Sequence, residues 1–126
     1  MSAASSGLFS DQPTTWASRT EEPNGVTSPE ELLAAAHASC FTMALSVGLT
    51  QAGTPPESLE TEAKVTVDQV EGGFGITKIE LSVRGKVPGL DAAGFEEAAN
   101  GAKDGCPISR ALTGNVEITV QATLES

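Results

Sequence analysis

Along this chain the spacing of apolar residues changes several times, and each change marks an element. From Pro29 to about Gln51 the run is apolar at helical spacing, and the 18 residues Leu32 to Leu49 carry no charge unless His37 is protonated. Its ends are signalled locally. Ser28 with Glu31 forms a capping box, Pro29 takes the first helical position where its missing N–H costs nothing, and Gly53 supplies a left-handed cap before Pro55 and Pro56. The pattern predicts one helix from Ser28–Pro29 to Gln51 or Ala52, some 35 Å long at about 1.5 Å per residue. The period then falls to two: Thr61 to Val70 alternates through Ala63, Val65 and Val67, Gly72, Gly73 and Gly75 make a turn, and Ile79, Leu81, Val83 and Val87 alternate again. That reads as a hairpin with one apolar face. Helical spacing returns from Leu90 to Lys103 through Phe95, Ala98, Ala99 and Ala102, and a turn at Gly105-Cys106-Pro107 leads into a short helix to about Leu112, with Cys106 at its N-cap. A last strand runs through Val116, Ile118, Val120, Ala122 and Leu124. Residues 1 to 28 are polar and broken by Pro13, Pro23 and Gly25; they read as strand and loop, with Leu8 to Trp16 as a short strand. This order predicts an α+β fold in which an antiparallel sheet curls against a long apolar helix.

Composition narrows the classes. At 126 residues the chain is one domain, and 39% hydrophobic residues with 19% charged suffice for a core without metal or disulfide staples. Seventeen acidic against seven basic residues give a net charge of −10, which repels phosphate backbones and anionic lipid, so neither nucleic acid nor a membrane surface is an expected partner. Leu32 to Leu49 approaches the length of a membrane span but spends it on Ala, Ser, Thr, Cys, Gly and His, and reads as a buried helix. Met1 to Gly7 lacks a basic and then apolar leader, and the expected location is the cytoplasm.

Candidate chemistry centres on two cysteines, Cys40 and Cys106. In a reducing compartment a structural disulfide is an odd use of both, which leaves paired redox chemistry or two small buried hydrophobes. Cys40 falls near the middle of the long helix, far from either dipole end, so a thiolate there needs another cation. Between residues 1 and 63 Arg19 is the only basic residue, either a solvated loop residue beside Glu21 and Glu22 or a placed guanidinium. At about 100° per residue Glu30, Leu33, His37, Cys40 and Ala44 form one stripe. Glu30 alone would merely favour the positive end of the helix, and His37 reads better as a satisfied core histidine than as a catalyst. An N-cap at Cys106 would aim backbone N–H groups at its sulfur and favour its thiolate. Arg110, one turn further on, is a second cation and reads as an ordinary surface residue. Gly72-Gly-Phe-Gly75 joins two strands and is no phosphate cradle; one His and two distant Cys make no zinc set; Ser39 and Ser46 lack a nucleophile elbow.

The segments Ser28-Pro-Glu-Glu-Leu-Leu-Ala-Ala-Ala-His-Ala-Ser-Cys-Phe41 and Gly105-Cys-Pro-Ile-Ser-Arg-Ala-Leu112 resemble the osmotically inducible protein C and organic hydroperoxide resistance family, the OsmC branch more than the Ohr branch. The likeness extends through the strand patterns of Thr61 to Val87 and Asn115 to Leu124. It implies a single OsmC-like domain over residues 1–126, with curved antiparallel sheets on a long central helix, in an intertwined homodimer. It further implies a thiol peroxidase of the oxidative and osmotic stress response. In such a protein Cys40 attacks an organic hydroperoxide, releases the alcohol and becomes a sulfenic acid, and Cys106 condenses with it to a disulfide. Arg19 would stabilise the Cys40 thiolate and Glu30 would hold Arg19, a task that suits the planar guanidinium. The resemblance implies no metal or other cofactor, but a dithiol reductant such as a dihydrolipoyl group on a lipoylated protein. Trp16, Phe41 and Met43 are candidates for an apolar substrate wall, with core packing the plainer reading of Met43. Against the family pattern the chain begins about twenty residues late, so either the start was assigned differently or the sheet is smaller. Two other readings compete: a redox-responsive binding protein of the same fold without efficient turnover, and a structural stress protein with inert cysteines.

Overall fold

A computed structural model describes residues 2–5 and 29–125, and the side chains of the latter range. In chain order the elements are β1 (Ser2–Ser5), α1 (Pro29–Gln51), β2 (Ser58–Val70), β3 (Gly73–Lys86), α2 (Ala92–Gly105), α3 (Pro107–Leu112) and β4 (Glu117–Leu124). The strands form one sheet in the order β1-β2-β3-β4.

Helix α1 spans 23 residues and ends where its sequence signals place the end, with Gly53 at φ 88°. That sign of φ is strained for any residue with a Cβ. The stripe Ala34, Ala38, Phe41, Leu45 and Leu49 is buried against the sheet, where each large apolar side chain contributes about 1.5–3 kcal/mol. Among the described residues α1 alone is long and apolar enough to cross a membrane, yet its buried face is part of the core it shares with the strands.

Strands β2 and β3 pair as the predicted hairpin through a turn at Glu71–Gly72, and β3 begins earlier than its alternation suggests, at Gly73. The pairing register shifts between Thr66 and Val67, so that Lys78 faces Thr66 while Ile76 faces Val67. Ile76 and Ile79, three apart, would point to opposite faces of a regular strand; the irregularity lets both pack on the core. On the other face Arg84 pairs with Glu60 at 3.3 Å and with Glu125 at 3.4 Å, and Lys86 with Glu57 at 3.6 Å, all exposed.

One expectation is overturned. The sheet is mixed: β4 runs parallel to β3, with Ile79 opposite Ile118, Leu81 opposite Val120 and Val83 opposite Ala122. A tight turn cannot join parallel neighbours, and α2 and α3 supply the crossover between them. Leu8 to Trp16 and Ser28 lie outside the described residues, whereas Ser2–Ser5 pairs antiparallel with β2.

Candidate active site

The site lies where α1 meets the junction of α2 and α3. Cys106 is at once the C-cap of α2 and the N-cap of α3, held by its N–H donating to Ala102 O at 2.8 Å, and Arg110 N–H in turn donates to Cys106 O at 2.9 Å. The junction seats the Cys106 side chain, 0% exposed, against Cys40. Both are free thiols.

Three influences act on Cys40. Burial pushes its thiol up, the Ile108 backbone N–H hydrogen-bonds the sulfur and pulls it down, and Cys106 raises it again through a hydrogen bond and through charge. None of these is a cation, and Arg110 is exposed and not among them. The helix-start arrangement expected at Cys106 is thus corrected: its side chain makes no capping bond, and the amide near the start of α3 serves Cys40 instead. The cause is geometric, because the Cys106 side chain turns into the core toward α1.

The stripe read from helical spacing is one face of α1. Glu30 is 2% exposed and His37 0%, while Leu33, Cys40 and Ala44 are half-buried. His37 Nε2 meets Ser109 Oγ at 2.7 Å across 72 residues of sequence, and its Nδ1 has no hydrogen-bond partner. Burial lowers its pKa, so the ring is neutral at pH 7. The satisfied core histidine holds in burial and fails in half of its hydrogen bonding. Ser109, 2% exposed, carried no signal in the sequence, because its partner comes from a distant helix.

Beside Cys40 a groove of about 850 Å³ opens between α1 and α2, with Met43, Ala44, Val47, Leu90 and Ala98 among its lining residues. Met43 is 69% exposed and lines it, against the core packing expected of it; Phe41, expected on the wall, is 0% exposed and belongs to the core. The two positions are two apart on one helix, about 200° around it, so they cannot share a face. Trp16 and Arg19 lie outside the described residues. Among the described residues no three His, Cys, Asp or Glu side chains converge to hold a metal ion.

This α+β fold is shared with solved structures of organic hydroperoxide resistance proteins. Residues 22–121 match the model of the OsmC-like protein family, and the chain belongs to that family. It is 47% identical to peroxiredoxin OsmC of Escherichia coli over 96% of this chain and 82% of that protein. It is 36% identical to an organic hydroperoxide resistance protein of Xanthomonas axonopodis over 75% of this chain and 65% of the relative. The crystal structure of the organic hydroperoxide resistance protein OhrB of Bacillus subtilis superposes with a TM-score of 0.68 at 29% identity, covering 85% of this chain and 79% of that one. The names of these relatives support a peroxidase-type role.

Proposed function

We propose that this protein is a thiol peroxidase that reduces organic hydroperoxides to alcohols in the cytoplasm, as part of the oxidative and osmotic stress response. The observation that carries the reading is the meeting of Cys40 with the buried Cys106, while Cys40 itself lines an apolar groove. Cys40 as thiolate attacks the terminal oxygen of the hydroperoxide; the O–O bond breaks, an S–O bond forms, and the alkoxide leaves and takes a proton as alcohol. Cys106 then attacks the sulfenic sulfur, the S–S bond forms and hydroxide departs as water with the thiol proton. A dithiol, such as a dihydrolipoyl group, returns both cysteines to thiols and is itself oxidised to a disulfide; no resident cofactor takes part. Arg19 stabilises the Cys40 thiolate and the leaving oxygen, and Glu30, buried at the start of α1, orients Arg19. Met43 and its neighbours in the groove receive the apolar part of the hydroperoxide, with Trp16 a further wall residue. A homodimer is the working assembly.

Rapid mixing of the reduced protein with cumene hydroperoxide tests this. One peroxide is consumed per chain and the mass falls by about two hydrogens. Thiols indifferent to the peroxide would overturn the reading. In Cys106→Ser a single turnover survives and sulfinic acid accumulates on Cys40; a disulfide formed within that chain would remove Cys106 from its role.

A further inference from the structure

The hydrogen bond between His37 and Ser109 repeats, one turn away, the pairing of the two cysteines. His37 precedes Cys40 by three residues on α1, and Ser109 follows Cys106 by three on α3, so one helical turn on each side separates the polar pair from the sulfur pair. Helix α3 has six residues, too short to hold its own position, and its N-cap makes no side-chain bond. Beside the Ile108 amide on Cys40, the bridge to His37 ties α3 to α1 by a buried side-chain hydrogen bond. That tie is expensive in stability. An imidazole fully buried with one nitrogen lacking a partner costs more than an apolar side chain of similar size would. A bond retained at such a cost fixes geometry, and the geometry it fixes is that of the α3 N-terminus, where Cys106 and the Ile108 amide both meet Cys40.

We infer that the His37–Ser109 hydrogen bond is a positioning clasp, holding the start of α3 against α1 so that Cys106 closes onto Cys40 by side-chain rotation alone. His37 and Ser109 touch neither peroxide nor sulfur in this account; they act through the placement of Cys106. The inference rests on the two cysteines forming a disulfide, and not on which oxidant makes it.

The test equilibrates the whole protein with glutathione and its disulfide. Two protein thiols and one glutathione disulfide exchange for one protein disulfide and two glutathiones, and the equilibrium constant is the effective concentration of Cys106 toward Cys40. Ser109→Ala lowers it about tenfold, the worth of one hydrogen bond, and Ser109→Thr, which keeps the hydroxyl, stays within about twofold of the wild type. The double variant His37→Leu/Ser109→Ala removes both partners at once. It keeps a thermal midpoint at or above the wild type while its effective concentration falls like that of Ser109→Ala, a separation that a merely structural role would not produce. An effective concentration in the double variant within about twofold of the wild type would overturn the clasp. A wild type that ignores cumene hydroperoxide but forms the glutathione-linked disulfide would overturn the peroxidase and leave this test intact.

Discussion

A thiol partly withdrawn from water is a weak nucleophile because it keeps its proton, and half-buried Cys40 is in that position. Burial is the largest influence on it and Cys106 adds to it, while only the Ile108 amide opposes them. One backbone N–H cannot carry the thiolate that the proposed reaction needs at neutral pH, so the proposal leans on Arg19. In Arg19→Ala the thiolate titration of Cys40 moves to higher pH. The reaction with hydroperoxide then slows, by on the order of a hundredfold at pH 7, and it recovers as pH rises and the thiolate fraction grows. Stopped-flow rates against pH in both proteins decide this, and superimposed profiles would remove Arg19 from the site. The candidates for this chemistry were readable because cysteine and arginine are scarce here and Glu30 shares the helix stripe of Cys40. What escaped the sequence was the direction of the Cys106 side chain, which depends on the packing of α1 rather than on the local N-cap pattern.

Elements were legible wherever a local signal sets them. Pro29 and Gly53 bound α1 because backbone conformation at those positions is dictated by the residues themselves, and the period-two runs placed β2 and β3. The start of β3 was not legible, because Gly73-Phe-Gly75 reads as turn and the irregular pairing opposite Val67 interrupts the alternation. One contact between elements is especially close. A Cβ at Gly85 would stand 2.6 Å from Phe95 Cζ and 2.9 Å from Leu59 Cδ2, and Phe95 is 0% exposed. Glycine at this position lets α2 lie close on the sheet, which in turn sets where the α2–α3 junction presents Cys106. Gly85→Ala therefore overpacks the core and destabilises by about 1–3 kcal/mol. Urea unfolding should show a lower midpoint at unchanged slope, and an unchanged midpoint would mean that Phe95 yields freely.

At the scale of the whole molecule the sequence is least informative, since distant segments meet there. The parallel pairing of β3 with β4 leaves no mark in either strand, as each reads apolar in alternation whichever way its neighbour runs. The bond between His37 and Ser109 spans 72 residues and is invisible for the same reason. It does have a global consequence. The folded protein lowers the His37 pKa from 6.5 by burial, so below that value the unfolded chain binds a proton that the folded chain resists. Stability from the neutral ring is thus fully present above about pH 6.5 and is lost progressively as pH falls toward the lower folded value. His37 is the only histidine in the chain, so its share can be isolated by substitution. Between about pH 7.5 and 5.5 the thermal midpoint of the wild type should fall more than that of His37→Leu/Ser109→Ala, with carboxylate titration common to both. Parallel curves would mean that the ring accepts its proton in place, which a fully buried imidazole with an unpaired Nδ1 is built to refuse.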